Sequence, residues 1–475
     1  MIPWIVSATL AAAMVALAFM SLFPPFVLAS FSFVLIFLSF SEKTKIFIPY
    51  LALAGISVTA FLIVQQFTAP SYDFFGIFKV DSFSLVFDAI FLGVAGLVVL
   101  NSLHVYKSSL TYYVSILLAV SGMMSVAHSI DFISLFIGLE LMSVGFYPLI
   151  LYNKDKNGTE AATKFFIVSI FSAGALLFGI SFMYGATGSS SFYAISLDKL
   201  TPLTILALTF ITAGFAFKIG AFPFNLWVPD VYEGAPANVT ALLASASKKA
   251  GFAALFKFFL LSLPLLQFYW TWVFVALAIL TMSIGNIVAL AQKNVKRLVA
   301  YSTIGQVGYI LIAMAVPTSM GIAAGLLQMV THAVAVAGVL FIISILETKG
   351  IFNIDDYDGL GMKYPLLGFG MLVFFASLAG IPPLAGFFSK FYLFSAAVSG
   401  GFWWLAGLAV IYAVVSMYFY FRVLRRMFVD EPKNSVSISF NSALVILLSI
   451  LFIAGFSLFA DNIFKILVSV AQSIV

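Results

Sequence analysis

Not one cysteine occurs in the 475 residues of this chain. That excludes a disulfide, a thiolate nucleophile, a Cys-ligated iron–sulfur cluster and a covalently attached C-type haem. Histidine is nearly as scarce, and the three present, His104, His128 and His332, argue against a bis-His haem. Charge is short too: 9% of residues are Asp, Glu, Lys or Arg, against about a quarter in a soluble domain. What is abundant is apolar surface, with 63% hydrophobic residues and a mean hydropathy of +1.15. Apolar runs of about 20 residues recur along the whole length, which predicts an all-α polytopic membrane protein. A transmembrane β-barrel does not fit, because its strands are about 10 residues long and alternate with period 2.

The runs fall near 3–22, 23–40, 46–65, 83–100, 110–127, 130–152, 161–184, 201–225, 238–264, 269–291, 298–315, 320–346, 363–398, 402–425 and 441–460. They predict 14 or 15 spans. The uncertainty sits at "SLFPPF", which separates two short runs, so that residues 1–20 read as a span, an interfacial helix or an uncleaved leader. No positive n-region supports a conventional signal peptide. Basic residues test the map. Lys43, Lys45, Lys107, Lys154, Lys156, Lys293, Lys296, Arg297, Lys349, Lys363, Arg422, Arg425, Arg426 and Lys433 all fall in loops of one side, 14 of the 23 Lys and Arg residues. Lys79, Lys199 and Lys465 fall on the other. The formal charge of +5 is therefore topology information, not a nucleic-acid surface, and the positive-inside rule places the C-terminus outside.

Six lysines remain inside predicted spans: Lys164, Lys218, Lys248, Lys249, Lys257 and Lys390. Glu140, in "DFISLFIGLELMSVGFYPLI", joins them. A charge at the bilayer centre costs about 2.5–3.5 kcal/mol on insertion scales, although a lysine near a helix end relieves this by snorkelling. Glu140 cannot snorkel far, so it is paired, protonated or both. Lys257 reads as a cavity group or a structural one. Lys248 and Lys249 stand about 100° apart on a helix, so one of them is expected at the periphery.

Lys218 and Lys390 share a second feature. Lys218 precedes "GAFPFNLWVP" and Lys390 follows "LAGIPPLAGFFS". Proline lacks an amide hydrogen and clashes with the preceding turn, so both spans should be broken. Irregular backbone inside a membrane is tolerated only where it lines protein or a water-filled cavity. Two such helices, their lysines 172 residues apart, predict two internal repeats of five helices, the plain alternative being two ordinary proline kinks. Trp227 reads as an interface anchor, and Asp230 and Glu233 as solvated or partner-facing loop groups.

At these residues the chain closely resembles the antiporter-like N subunits of respiratory complex I, the proton-pumping NADH:quinone oxidoreductase, whose homologues include mitochondrial subunit 2 and subunits of F420H2 dehydrogenases. "GLELMSVGFYPL", "FKIGAFPFNLWVPDVYEGAP", "AQKNVKRLVAYSTIGQVGYIL" and "LAGIPPLAGFFSKFYLF" carry the resemblance in order, from about Phe23 to the C-terminus. It implies 14 (or 15) helices with two inverted five-helix repeats, each with a broken helix: N-terminal helices in 1–109, repeats in 110–264 and 269–425, and a C-terminal helix in 426–475. It implies Glu140 and Lys218 as the input pair of a proton channel, Lys164 as its modulator, Lys248 as the central relay and Lys390 as the exit group. His332, in "QMVTHAVAVAGVLFI", is an extra relay group between Lys248 and Lys390; the related L and M subunits carry a similar Thr-His-Ala stretch, usually followed by a lysine where this chain has Val336. A polar core contact is the plain alternative for His332. Residues 1–22 lie outside the resemblance, and no long amphipathic arm follows the final span.

The implied reaction is vectorial: H⁺ moves along a Glu/Lys relay, coupled to electron transfer from NAD(P)H or F420H2 to a quinone or phenazine in partner subunits. No flavin, nucleotide or quinone motif is present. Flavin and iron–sulfur clusters are expected in partners, within a hetero-oligomeric complex of antiporter-like and small membrane subunits embedded in the lipids of a prokaryotic plasma membrane. A lysine chain repels Na⁺ and offers it no oxygen cage. The rivals are an Mrp-type cation/proton antiporter subunit, a proton-inactive subunit that stiffens a membrane arm, and a secondary solute carrier.

Overall fold

The computed structural model describes residues 23–40, 44–69, 71–106, 109–195, 197, 199–429 and 434–475. The first apolar run, Lys43, Lys107 and Lys433 lie outside the described residues. The chain is nearly all helical, because a helix satisfies its own backbone hydrogen bonds in an apolar surrounding. One small hairpin departs from this: β1 (Tyr72–Phe74) pairs antiparallel with β2 (Phe78–Val80).

In chain order come α1 (Pro24–Leu38), α2 (Ile48–Gln66), α3 (Ser82–Ser102), α4 (Leu110–His128), α5 (Phe132–Ile150), α6 (Lys156–Thr187) and α7 (Pro202–Ile219). Then follow α8 (Trp227–Gly234), α9 (Ala237–Leu242), a π-helical turn (Leu243–Ser247) and α10 (Lys248–Ser262). The second half has α11 (Gln267–Leu290), α12 (Val295–Ala315), α13 (Ser319–Glu347), α14 (Leu360–Lys363), α15 (Pro365–Ala379), α16 (Ala385–Ser399), α17 (Trp403–Val429), α18 (Phe440–Leu458) and α19 (Ala460–Ala471). Polar residues at the run edges start the helices: the side chains of Asp81, Asp131, Asp155, Thr201, Asn294, Thr318 and Ser439 each accept from first-turn amides.

Among the described residues eleven helices are long and apolar enough to cross a membrane, or twelve if the pair Ile354–Lys363 and Pro365–Ala379, bent by 118°, counts as one span. The shortfall against the expected count has a local cause. α1 has 15 residues, the run at 238–264 stays helical from Ala237 to Ser262 but widens at the π turn Leu243–Ser247, and the run at 363–398 is cut into α15 and α16. The last run also ends differently: α18 is followed directly by α19, whose Phe464, Leu467 and Val470 are buried, so Lys465 stands on a helix.

α4 packs lengthwise on α5, and α11 on α12. α13 runs through the middle, touching α9, α12, α15, α16, α18 and α19. α12 and α13 are almost wholly enclosed, whereas α6 and α17 keep large apolar side chains such as Phe171, Phe178, Ile411 and Val414 on the outside. An outer surface this apolar suits lipid, not water.

Candidate functional site

Both proline-bearing segments are broken as the sequence predicts. α7 ends at Gly220, in the left-handed conformation (φ +71°), whose amide donates to Ala216 and Phe217 carbonyls; the Ala221 amide also donates to the Ala216 carbonyl. α15 ends in the same way at Gly380 (φ +88°), with donation to Ala376 and Ser377, and from Ile381 to Ala376. Glycine reaches this conformation without a Cβ penalty. Each break leaves the C-terminal end of a half-helix inside the protein, where the carbonyl dipoles favour a cation.

Lysines occupy both ends. Lys390, from α16, donates to the carbonyls of Leu378 (2.7 Å) and Ala379 (3.0 Å) at the end of α15, and its Nζ stands 4.8 Å from the Tyr309 ring centroid. A cavity of about 730 Å³ adjoins it, lined among others by Gly380, Phe391 and Met417. Lys248, the first residue of α10, brings its Nζ to 3.2 Å from where a Cβ on Gly220 would stand and lies 5.4 Å from the Tyr232 ring centroid. Its Nζ is buried with no hydrogen-bond partner among the described residues. Lys218, in the last turn of α7, donates to Ser143 Oγ (2.9 Å) and faces Glu140 Oε1 at 3.4 Å across to α5. The π turn then brings Lys249 into a contact with His332: Lys249 Nζ is 2.8 Å from His332 Nδ1 and donates to the Ala244 carbonyl at 2.9 Å.

Three expectations are corrected, those on Lys249, on Asp230 and Glu233, and on Trp227. Lys249 is not peripheral but 1% exposed; it and Lys248 point to different neighbours, so both are enclosed. Lys164 stays half-exposed, tied to Glu160 and Asp230 at 2.7 Å each, and among the described residues no ion pair joins it to Glu140 or Lys218. Asp230 and Glu233 are not free loop groups: Arg297 donates to Asp230 (2.8 Å) and to Glu233 (2.7 Å), linking α8 to α12. Burial works to raise the Asp230 carboxyl, but Lys164 and Arg297 together hold it below its ordinary value. Trp227 is buried inside the fold, its indole N–H donating to the Phe217 carbonyl (3.3 Å), so it braces the break and anchors no interface. Glu140, for its part, keeps 30% of its side chain exposed.

A further buried ionic cluster surrounds Lys257, with partners that the apolar runs alone do not name. Lys257 pairs with Asp81 at 3.4 Å, and His128 Nε2 meets Asp88 at 2.7 Å while its Nδ1 faces the Lys79 carbonyl. Asp88 sits alone in the apolar run "SLVFDAIFL", the same signal that Glu140 carries, and would have been found by it. Lys296, placed in a loop from sequence, is also buried, donating to the Ala235 carbonyl and to Glu347 (3.2 Å). Among the described residues no group of three His, Asp or Glu side chains is placed to hold a metal.

Comparison with known proteins places the fold. The chain is 38% identical over 439 residues to F420H2 dehydrogenase subunit N of Methanosarcina mazei, covering 86% of this chain and 89% of that protein. It is 37% identical over 447 residues to NADH-quinone oxidoreductase subunit N of Trichlorobacter lovleyi, covering 91% and 92%. Its fold superposes on a chain of respiratory complex I from Thermus thermophilus with a TM-score of 0.82 and 29% identity, over 93% of this chain and 98% of that one. The family model described as NADH:quinone oxidoreductase/Mrp antiporter, TM, matches residues 129–416, the stretch that holds Glu140, Lys218, Lys248, His332 and Lys390, and the chain is a member of that family.

Proposed function

We propose that this chain is the N-type, proton-translocating subunit of a complex I-type oxidoreductase, moving H⁺ through Glu140, Lys218, Lys248 and Lys390 while partner subunits carry out electron transfer. One observation carries the proposal: buried lysines stand at two broken helices, Lys390 on the carbonyls that end α15, and Lys248 beside Gly220 at the end of α7, whose last turn holds Lys218 facing Glu140. A lysine so placed can release and regain a proton at low cost. The two relatives above, 38% and 37% identical, are named as N subunits of an F420H2 dehydrogenase and of an NADH-quinone oxidoreductase, which favours this reading over a stand-alone cation/proton antiporter.

The finer architecture follows the same reading. The 14 spans are the eleven long helices together with α1, the α9–α10 stretch and the α15–α16 pair. Residues 110–264 and 269–425 form two inverted repeats, preceded by the helices of 1–109 and followed by 426–475. Each has a lengthwise pair (α4/α5, α11/α12), a long helix (α6, α13), a broken helix (α7–α8, α15–α16) and a closing helix (α9–α10, α17). The C-terminus lies outside. Lys164 acts on the Glu140–Lys218 pair at a distance, through Asp230 and the α8 end of the first break. His332 stands between Lys248 and Lys390. Glu140, partly exposed, faces a neighbouring antiporter-like subunit, through which the redox event changes its pairing with Lys218. Flavin and iron–sulfur chemistry belongs to the partners.

The test is redox-driven proton uptake by sealed vesicles containing the assembled parent complex, compared with Lys218→Ala. Loss of uptake and of coupled turnover in a fully assembled variant supports the role. Unchanged uptake rejects it and leaves Lys218 a structural group.

A further inference from the structure

The reading above leaves Lys249 without a task. It is enclosed beside Lys248, and an additional buried amine is a cost unless something uses it. Its surroundings are built. The π turn Leu243–Ser247 widens the helix just ahead of it, and its Nζ turns back to the Ala244 carbonyl of that turn. π-helical turns of this kind mark functional places in helices. The same Nζ reaches His332 Nδ1 on α13 at 2.8 Å, while His332 Nε2 is buried with no hydrogen-bond partner among the described residues. The neighbouring Thr331 donates to Ser389 (3.1 Å), the residue before Lys390, so α13 meets α16 at this level.

We propose that Lys249 and His332 form a shared-proton pair that carries protons from α10 across to α13, on the way from Lys248 to Lys390. The inference rests on the proton-relay reading of the chain. Two basic nitrogens in contact inside the protein cannot both be cationic without strong repulsion, so the pair holds one proton between two sites. In the step, an N–H bond of the Lys249 ammonium breaks and one forms at His332 Nδ1. The Nε2 proton passes to a water molecule on the Lys390 side and from it to the neutral Lys390 amine, and the ring, left with its proton on Nδ1, exchanges tautomer before the next transfer. Lysine is left as a neutral amine, ready for the next proton, and the ring is left neutral. No co-reactant is needed. Lys249 is thus a relay residue, and the Ala244 carbonyl is the group that aims it.

The experiment uses the assembled complex in sealed vesicles, reading proton uptake per electron pair and coupled turnover for Lys249→Met, Lys249→Arg and His332→Gln, with Lys218→Ala and Lys248→Met as controls. Native electrophoresis verifies assembly. Coupled turnover is expected to fall about 10²-fold in all three variants, the scale of a lost proton-transfer group. Arginine decides between roles. It keeps the charge and donates to the Ala244 carbonyl, but it does not release a proton. A relay stays broken with arginine; a purely structural lysine is rescued by it, and rescue overturns the proposal. Should the arginine variant not assemble, His332→Gln decides: its amide oxygen still accepts from Lys249 but no proton passes. Wild-type uptake in that variant also overturns the pair. If Lys218→Ala and Lys248→Met pump normally, the relay reading itself fails. If they fail to pump while Lys249→Met pumps, only this pair is refuted.

Discussion

The Lys390 side chain lies against Gly380, so closely that a Cβ at Gly380 would come within 2.9 Å of Lys390 Cδ. The first break repeats the relation, with a Cβ at Gly220 falling 3.2 Å from Lys248 Nζ and 2.9 Å from Val228 Cγ2. The two glycines that turn the chain are also the ones that make room for an amine.

Gly380→Ala and Gly220→Ala should therefore each cost about 1–2 kcal/mol for the left-handed backbone and displace the adjacent lysine as well. The expected result is lower thermal stability of the assembled complex together with slowed proton uptake. Gly407→Ala on α17, with open space around it, should leave both unchanged. Equal behaviour of all three variants would remove the significance of the breaks.

Glu140 and Lys218 should behave as one unit. Glu140→Gln and Lys218→Met each slow coupled uptake, and the double variant is expected to be no slower than the slower single one, as contacting residues are non-additive. Strictly additive losses in a double-mutant cycle would show that the 3.4 Å contact is not used.

Tyr309 presents its ring, not its hydroxyl, to Lys390. Tyr309→Phe keeps the ring face and is expected to pump like wild type. Tyr309→Leu loses a contact worth roughly 0.5–2 kcal/mol and should lower uptake. The ratio of the two rates measures the contribution; a ratio of one rejects it.

Asp230 binds Lys164 and Arg297 at once, and its carboxyl lies below the ordinary value. Its stabilisation is fully present above the unfolded carboxylate pKa, near 3.9, and is lost as pH falls through the lower folded value. The pair is partly exposed, so roughly 0.2–1 kcal/mol is at stake. Thermal unfolding of the complex from pH 6 downward should show wild type beginning to converge on Asp230→Asn once the pH drops below the unfolded carboxylate value, and converging fully only below the lower folded one. A gap that persists at the acid end would exclude the titration of Asp230.

Much of this was legible in one dimension because a membrane protein is written in coarse signals. Glu140, Lys218, Lys248 and Lys390 stand out as charges in apolar runs, and segments that carry both glycine and proline locate the two breaks along the chain. Lys164 obeys the same rule and is half-exposed, because a lysine two turns into a 32-residue helix sits near its end and reaches outward. Trp227 misled because composition assigns tryptophan to interfaces, whereas here the broken helix exposed a carbonyl that its indole N–H could meet.

The sequence alone determined the membrane class, the placing of most helices and the residues whose burial demands an explanation, since hydropathy and proline act locally on the chain. The tertiary structure decided who meets whom. That Lys249 faces His332, that Lys257 finds Asp81, and that Arg297 closes on Asp230 and Glu233 depend on contacts across 64 to 176 residues of chain. Such pairings arise from helix packing and from one π turn that rotates α10, and no local pattern encodes that rotation.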